Sequence, residues 1–374
     1  MSNTKSRIFL SPPFVGAAER AAVARAFDSG YVAPCGPQVD EFERMLAKLA
    51  GRKYAVAVSS GTAAIDLLMA ELGVDETWTV FAPTLTFIAT VGPAFHRGAK
   101  LVFVDSDATG NIDVSLLEDA LESLRAKKAL VVGVDLYGNC CDYGAIAKLC
   151  RKFGAVFVTD AAEAVGAKRD GRPAGSAGLA GVYSFNGNKI ITTSGGGAIV
   201  TDDRGLAERA KKRSQQSREK CVWYEHKEVG YNYRLSNILA ALGLAQLGRL
   251  PAILRKREAN FKWYAKNWKG DLLAPTPGAN HWLTVALLAS RRERDKLLRR
   301  FEAFNIEARP VWKPLHLQPV FAKCRVFGGE VAEALFERGV CLPSGTGLKN
   351  GDFARIAACL KYREVVENPL SEED

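Results

Sequence analysis

An acidic residue and a lysine stand where the side chains of a folded sheet can meet. Asp160 ends the apolar run Val156–Thr159, and Lys189 lies in a loop of small polar residues that follows another β-rich run. An apolar strand that ends in a carboxylate places that carboxylate at the rim of its sheet, although such residues are often only caps or turns. A lysine in such a loop, taken alone, is an ordinary surface residue.

The pair nevertheless has both groups that pyridoxal 5′-phosphate (PLP) chemistry requires. A lysine amine condenses with the aldehyde of this cofactor, and a carboxylate keeps its pyridine nitrogen protonated. The protonated ring then withdraws electrons from the carbanion formed during amino transfer. This pairing predicts catalytic roles for Lys189 and Asp160.

A cofactor phosphate needs hydrogen-bond donors, and residues 59–64 can supply them. This segment follows the β-rich run Tyr54–Val58 and opens the helical pattern Thr62–Leu72. Gly61 allows close approach of the backbone, and a helix N-terminus offers free N–H groups and the positive end of a dipole. The hydroxyls of Thr62 and Ser184 can add to these donors. An ordinary helix cap explains the segment equally well when it is taken alone.

The elements that must position these residues alternate along the first two-thirds of the chain. The β-rich runs are Ala55–Val58, Trp78–Phe81, Leu101–Val104, Leu130–Val134, Val156–Thr159, Gly181–Phe185 and Gly197–Thr201. Helical patterns between them include Thr62–Leu72, Val114–Leu124 and Tyr143–Lys152. The alternation predicts an α/β fold with a mostly parallel central sheet and crossover helices. A ligand should bind at the carboxyl ends of its strands.

The pattern changes after about residue 235. Leu235–Arg257 predicts one long helix, or a pair bent at Pro251. Basic helices and short strands such as Trp282–Leu288 follow. We therefore expect a large domain over 1–245 and a smaller α+β domain over 246–374. The acidic residues 367–374 predict a frayed tail.

Composition excludes several classes of protein. Of the 374 residues, 48% are hydrophobic and 25% are charged, as in globular proteins. No apolar run approaches the roughly 20 residues of a membrane span, and the N-terminus lacks the layout of a signal peptide. A cytoplasmic location is therefore expected. The eight cysteines lack C-x-x-C spacing and the four histidines lack H-x-x-x-H spacing, so we expect reduced thiols and no metal site.

The net charge of +10 fits nucleic acid, anionic lipid or a phosphate-bearing small ligand. Many of the charges, such as those of 255–257 and 291–294, alternate with apolar residues at helical spacing. A solvated helix face is the better interpretation, and no nucleic-acid partner is expected.

Eight motifs together resemble the sugar aminotransferases of the DegT/DnrJ/EryC1/StrS family over nearly the whole chain. They are Ser60-Gly61-Thr62-Ala63-Ala64, Pro83-Thr84-Leu85-Thr86-Phe87, Phe103-Val104-Asp105, Leu136-Tyr137-Gly138, Asp160-Ala161-Ala162-Glu163-Ala164, Ser184-Phe185-Asn186-Gly187-Asn188-Lys189, Gly230-Tyr231-Asn232-Tyr233-Arg234 and Arg309-Pro310. The resemblance implies the aspartate-aminotransferase-like fold, PLP fold type I, with PLP as the cofactor. Some family members carry histidine at the Schiff-base position and act as dehydratases, whereas Lys189 favours amino transfer.

The resemblance also implies a role for each matching residue. Lys189 matches the Schiff-base lysine and Asp160 the partner of the pyridine nitrogen, while Glu163 lies near the cofactor hydroxyl. Phe87 matches the aromatic residue that stacks on the ring, although an aromatic residue after a strand is more often plain core. Phosphate ligands are expected at Gly61, Thr62, Ala63 and Ser184. Asn232 matches an asparagine that reaches the phosphate from the partner subunit, which implies a homodimer with shared active sites.

Within the family, the chain most resembles enzymes that aminate C4 of UDP-linked 4-keto-6-deoxy-N-acetylglucosamine in bacillosamine-type pathways. The features that indicate this are 9–13, 217–221, 224–226, 309–313, 341–346 and the variant Ser194-Gly195-Gly196-Gly197. L-Glutamate is the expected amino donor. Substrate contacts are expected, by family position, at Ser29, Tyr31, Arg309, Trp312 and His316. An arginine suits a diphosphate because its fork binds oxygens in pairs.

Two alternatives stay open. A C3 aminotransferase, or one acting on a GDP-linked keto-sugar as in perosamine synthesis, would share most of these motifs. A regulatory protein that binds PLP or nucleic acid without turnover would use the same fold.

Overall fold

Apolar runs form the strands of this chain, and amphipathic segments between them form helices. The computed structural model describes residues 6–361, so the acidic tail expected over 367–374 lies outside the described residues. The strands are β1 Tyr54–Val58, β2 Thr79–Pro83, β3 Lys100–Val104, β4 Ala129–Val134, β5 Val156–Asp160, β6 Lys168–Arg169, β7 Arg172–Pro173, β8 Ala180–Ser184, β9 Gly197–Thr201, β10 Asp271–Leu272, β11 Thr284–Leu287, β12 Arg309–Pro310, β13 Arg325–Phe327 and β14 Gly339–Leu342.

The helices lie between these strands and beyond them. They are α1 Ala17–Asp28, α2 Pro37–Ala50, α3 Gly61–Glu71, α4 Gly92–His96, α5 Val114–Leu124, α6 Tyr143–Phe153, α7 Arg204–Arg213, α8 Asn237–Asn267, α9 Arg291–Ala303, α10 Glu330–Arg338 and α11 Asn350–Lys361. Short 3₁₀ turns occupy Ile88–Thr90, Leu136–Gly138, Leu315–Leu317 and Pro319–Phe321.

The central sheet has eight strands in the order β1-β9-β8-β5-β4-β2-β3-β13. From β8 to β13 every neighbouring pair is parallel, whereas β9 is antiparallel to both of its neighbours. Strands β2, β4, β8 and β9 are buried along their whole length, because helices cover both faces of the sheet. The mostly parallel α/β sheet predicted from the sequence is confirmed.

Helix α8 links the two parts of the chain. Its first turn is capped by the Ser236 hydroxyl, which accepts from the Leu239 N–H, and the helix continues ten residues past the predicted end at Arg257. Pro251 lies inside this single helix, so the bent pair of helices is not formed. Buried Asn260 and Tyr264 explain the extension, because their side chains bond to backbone oxygens of the segment 343–345.

By length and composition, α8 is also apolar enough to cross a membrane, which the sequence alone did not suggest. It packs against α1 and α2, and 44% of its most apolar window is buried within the chain. The core helix of a folded domain passes the same test, so this helix is weak evidence for a membrane span. The cytoplasmic location stays a prediction.

The C-terminal part forms a second sheet, in the order β10-β11-β14-β12, whose pairs are all antiparallel. It does not separate cleanly from the rest of the chain. Strand β13 leaves it to pair with β3 at the edge of the central sheet, and Ile8 forms a bridge with Ile306. The expected boundary between residues 245 and 246 falls inside α8, because a continuous helix carries the chain from one part to the other.

Candidate active site

Lys189 and Asp160 meet in a cavity at the carboxyl end of the parallel strands. The cavity has a volume of about 930 Å³. Asp160 ends β5 and Ser184 ends β8, and both residues line it, as does Val134 at the end of β4. The side chains therefore converge because parallel strands end at the same edge of the sheet.

Asp160 is buried, and each of its carboxylate oxygens has a protein donor. The Thr90 hydroxyl donates to Oδ2 at 2.7 Å, and the Ala162 N–H donates to Oδ1 at 3.1 Å. Burial raises the pKa of Asp160, while these two donors and the charge of Lys189 act in the opposite direction. A fixed carboxylate of this kind can pair with a protonated ring nitrogen.

Glu163 is the acidic residue that contacts the Lys189 amine. Its Oε1 lies 3.3 Å from Nζ of Lys189, and its Oε2 accepts the backbone N–H of Tyr137 at 2.7 Å. Tyr137 has a positive φ of 53°, a conformation that costs a non-glycine residue energy. Burial raises the pKa of Glu163 to about 7, so this group can gain or lose a proton near neutral pH.

The third neighbour of the lysine is Trp282, which no pattern in the sequence predicts. Nζ of Lys189 lies 4.3 Å from the centre of the Trp282 ring, a cation–π contact, and the Trp282 indole donates to the backbone oxygen of Asn188 at 2.7 Å. Trp282 stands two residues before β11 of the second sheet. Its sequence showed only a β-rich run, and nothing in that pattern places it against a loop nearly a hundred residues away.

The N-terminus of α3 forms the polar wall of the cavity. Gly61, Thr62 and Ser184 line it, and the first N–H groups of a helix have no acceptor within the helix. A Cβ on Gly61 would lie 2.9 Å from the Cβ of Ser184, so only glycine fits this close approach. Ala63 does not line the cavity, and its N–H already donates to the Ser60 hydroxyl that caps the helix.

Two of the five predicted substrate residues line the same cavity. Arg309 and Trp312 are both in its wall, and Phe87 lies beside Trp312 with a distance of 5.6 Å between ring centroids. Arg309 is two-thirds exposed, and two of its guanidinium nitrogens contact one oxygen of Glu307. This leaves other donors of the guanidinium free to bind an anion.

Four predicted residues lie elsewhere in the described chain. His316 is engaged through both ring nitrogens, by Thr84 at 2.6 Å and by Glu333 at 2.9 Å, which explains why it does not line the cavity. Ser29, Tyr31 and Asn232 are exposed and do not reach the cavity of their own chain. Their assigned roles stay predictions.

The residues present fit PLP. A lysine amine, a buried carboxylate and a helix N-terminus are the three groups that would hold its aldehyde, its pyridine nitrogen and its phosphate, and all three face one cavity. Among residues 6–361, no group of three or more His, Cys, Asp or Glu side chains is arranged to hold a metal ion.

Known proteins share this architecture and sequence. The model of the DegT/DnrJ/EryC1/StrS aminotransferase family matches residues 13–361. EpsN of Bacillus subtilis, provisionally named a pyridoxal phosphate-dependent aminotransferase, is 42% identical over 95% of each chain. A GDP-perosamine synthase of Caulobacter vibrioides is 35% identical over 95% of this chain and 97% of its own. The UDP-4-amino-4,6-dideoxy-N-acetyl-beta-L-altrosamine transaminase of Campylobacter jejuni is 36% identical over 63% of this chain and 62% of its own.

Solved structures agree with these relatives. Spr1654 of Streptococcus pneumoniae, provisionally named a sugar aminotransferase, has a TM-score of 0.87 in its PLP form, with 26% identity over 95% of this chain and 98% of that one. The same protein is also known with pyridoxamine phosphate bound. The chain therefore belongs to the DegT/DnrJ/EryC1/StrS aminotransferase family and is a PLP-dependent sugar aminotransferase.

Proposed function

We propose that the chain transfers the amino group of L-glutamate to C4 of a nucleotide-linked 4-keto-6-deoxy sugar, UDP-4-keto-6-deoxy-N-acetylglucosamine. The product is UDP-4-amino-4,6-dideoxy-N-acetylglucosamine. The observation that carries the proposal is the Lys189 amine in one cavity with Asp160, with the exposed guanidinium of Arg309 in the wall of that cavity. The Lys189 amine suits the place where the substrate carbonyl reacts, and the Arg309 guanidinium suits the diphosphate of the same substrate.

Bound PLP supplies an aldehyde that receives the amino group and an electron sink that stabilises a carbanion. Lys189 would hold the cofactor through its amine and, once released, would move a proton between the two carbon atoms of the transfer. Asp160 would keep the pyridine nitrogen protonated. Glu163 would accept a hydrogen bond from the cofactor hydroxyl, and Phe87 would cover the ring.

Gly61, Thr62 and Ser184 are the proposed phosphate ligands, with the N-terminus of α3 as the source of backbone donors. The Ala63 N–H is a weaker candidate because it already serves the helix cap. Arg309 and Trp312 are the proposed contacts to the diphosphate and the sugar. Trp312 packs against Tyr137 at 5.3 Å between ring centroids, which gives the cavity an apolar wall suited to a deoxy sugar.

A second candidate substrate carries GDP in place of UDP, and the experiment tests both nucleotides. GDP-perosamine synthases of three bacteria are 32–35% identical to this chain over 90% or more of its length, which favours a GDP-linked keto-sugar. The relative named for a UDP-sugar covers less of the chain, and its identity is similar. EpsN, which is more similar than either, carries no substrate in its name.

The proposed enzyme is a homodimer in which Asn232 enters the partner's cavity. Asn232 is exposed and stands outside its own cavity, in the segment between α7 and α8. The same segment exposes large apolar side chains, with Val222 95% and Tyr224 77% exposed. Apolar groups exposed to this extent favour burial against a second copy. Tyr31 lies beside the start of α8, where its carbonyl accepts from the Asn237 side chain, and its N–H donates to the Ser29 hydroxyl.

A panel of UDP-, GDP- and dTDP-linked keto-sugars tests the proposal, with glutamate as donor and products identified by mass and NMR. Amination of the UDP-linked 4-keto sugar with the highest kcat/KM supports it. A preference for a GDP-linked sugar, or amination at C3, replaces the proposed substrate with the corresponding alternative. A protein that binds PLP, shows no change in cofactor absorbance with glutamate and aminates nothing would be a regulatory protein.

A further inference from the structure

Two buried hydroxyls lie in series behind the Asp160 carboxylate. Thr90 Oγ1 donates to Asp160 Oδ2 at 2.7 Å, and Thr86 Oγ1 lies 2.8 Å from Thr90 Oγ1. Both threonines are almost fully buried, and both come from the segment that joins β2 to α4. Residues 83–87 of this segment belong to a motif shared with the family, whereas Thr90 lies beyond it.

The direction of donation along the series is fixed by chemistry. An ionised carboxylate accepts and cannot donate, so the single proton of the Thr90 hydroxyl points to Asp160. The oxygen of Thr90 is then free only as an acceptor, and Thr86 must donate to it. Hydrogen bonds in such a chain polarise one another, so Thr86 strengthens the bond from Thr90 to the carboxylate.

The groups around Asp160 shift its pKa in opposite directions, so a donor to its carboxylate affects its ionisation. Burial raises its pKa, because a charged carboxylate is less stable away from water. The charge of Lys189 and the Ala162 N–H favour the ionised form. Thr90 supplies the only side-chain hydroxyl among the described donors to this carboxylate, and Oδ2 is the oxygen it holds.

We propose that Thr90, supported by Thr86, is a positioning residue that keeps Asp160 ionised and turned toward the pyridine nitrogen of bound PLP. The proposal rests on the role of Asp160 as the ring partner, and it is independent of the sugar substrate. A hydroxyl that only filled space could be replaced by a methyl group without any effect on the protonation of the cofactor.

The test compares Thr90→Val, which keeps the shape and removes the donor, with Thr90→Ser, which keeps the donor. Each holoenzyme is reconstituted with PLP labelled with ¹⁵N at the pyridine nitrogen, whose chemical shift measures protonation of that atom. In Thr90→Val the resonance should move toward the unprotonated position, and the rate of the glutamate half-reaction should fall roughly ten- to hundredfold, the worth of one hydrogen bond to a charged group. Thr90→Ser should stay within about twofold of the parent rate.

The pH profile gives a second readout. Loss of the donor raises the pKa of Asp160, so the acidic limb of the half-reaction should move to higher pH in Thr90→Val and stay in place in Thr90→Ser. Thr86→Val retains the direct donor, and a smaller movement of the resonance in the same direction is expected. Thermal unfolding shows which variants are native. If Thr90→Val does not fold, the shift measured in Thr86→Val tests the proposal instead.

An unchanged ¹⁵N shift and pH profile in the folded valine variants overturns the proposal, even if their melting temperatures fall. Asp160→Asn, measured alongside, separates this outcome from a failure of the underlying assignment. If Asp160→Asn moves the resonance and Thr90→Val does not, the threonine role alone is wrong. If neither variant moves it, Asp160 is not the partner of the ring nitrogen.

Discussion

The amine of Lys189 lies 4.3 Å from the ring centre of Trp282, so a residue of the second sheet forms one wall around the proposed catalytic lysine. The same tryptophan holds the lysine's loop through the Asn188 carbonyl, which also accepts the Ser11 hydroxyl at 2.8 Å. The position of the lysine therefore depends on contacts from both parts of the chain and from its N-terminal segment.

Replacing Trp282 should separate these two contributions. Trp282→Phe keeps an aromatic face and loses the indole donor, whereas Trp282→Leu loses both. We expect the rate of the glutamate half-reaction to fall about tenfold in Trp282→Phe and further in Trp282→Leu, because loss of a cation–π contact adds to loss of a hydrogen bond. Stopped-flow absorbance of the bound cofactor measures both rates. Equal rates in the two variants would mean that the ring face contributes nothing.

Replacement of Lys189 by Ala or Arg should abolish turnover. Alanine has no amine, and the guanidinium of arginine is always protonated and cannot link to an aldehyde or accept a proton. Binding of pyridoxamine phosphate, followed by fluorescence titration, should survive because Asp160 and the α3 N-terminus remain. Near-normal turnover in either variant contradicts the assignment of the lysine.

The shared active site predicts complementation between two inactive parents. Lys189→Ala and Asn232→Ala proteins are mixed after reversible dissociation, and activity is measured once mass spectrometry verifies subunit exchange. One site of each heterodimer collects both lesions and the other collects neither, so activity should approach one parental site per heterodimer. Exchange without restored activity, with Asn232→Ala inactive by itself, would rule out the shared site.

Asp135 predicts a dependence of stability on pH. It is buried, accepts the Tyr143 hydroxyl at 2.6 Å, and burial raises its pKa to about 7. In the unfolded chain it loses its proton near its ordinary value of about 4, so the folded state binds more protons across this window. Its contribution to the free energy of unfolding should fall by a few kcal/mol as the pH rises from about 4 to 7.

Asp135→Asn cannot titrate and should lose less stability over that window than the parent protein. Urea unfolding at several pH values between about 4 and 8 measures the difference. Asp119→Asn, on the exposed face of α5, is the matched control and should follow the parent. Parallel curves for all three proteins would show that Asp135 ionises as an exposed carboxyl does.

Arg257 of α8 is a fully buried cation whose described partners are neutral. Its guanidinium donates to the backbone oxygens of Trp282 and Ser344 and to the hydroxyls of Ser11 and Thr346. Arg257→Met leaves these acceptors without donors and should lower the free energy of unfolding by about 3 kcal/mol or more. Arg255→Met, exposed on the same helix, should change it by less than about 0.5 kcal/mol. Equal effects of the two substitutions would refute a specific role for the buried guanidinium.

The sequence by itself determined the alternation of strands and helices, the mostly parallel sheet, and the family with its cofactor. The family and its cofactor follow from the resemblance of eight motifs. The strands and the sheet follow from local patterns, because apolar runs form covered strands and polar residues directly after them lie at the rim of the sheet. Asp160, Ser184 and Gly61 were predicted in this way and do line one cavity. Lys189 needed only the short connection that follows β8.

Only the tertiary structure decided which distant residues meet there. Trp282 contacts Lys189 because the second sheet, which follows α8 in the chain, packs near the active-site loop. Thr90 reaches Asp160 because β2 and β5 both lie next to β4 in the central sheet. β13 joins the central sheet by pairing with β3. Its three residues are too short a run to predict a strand from the sequence. Such contacts depend on the path of the backbone between segments far apart in the chain, and the periodicity of a sequence records only what lies within a few residues.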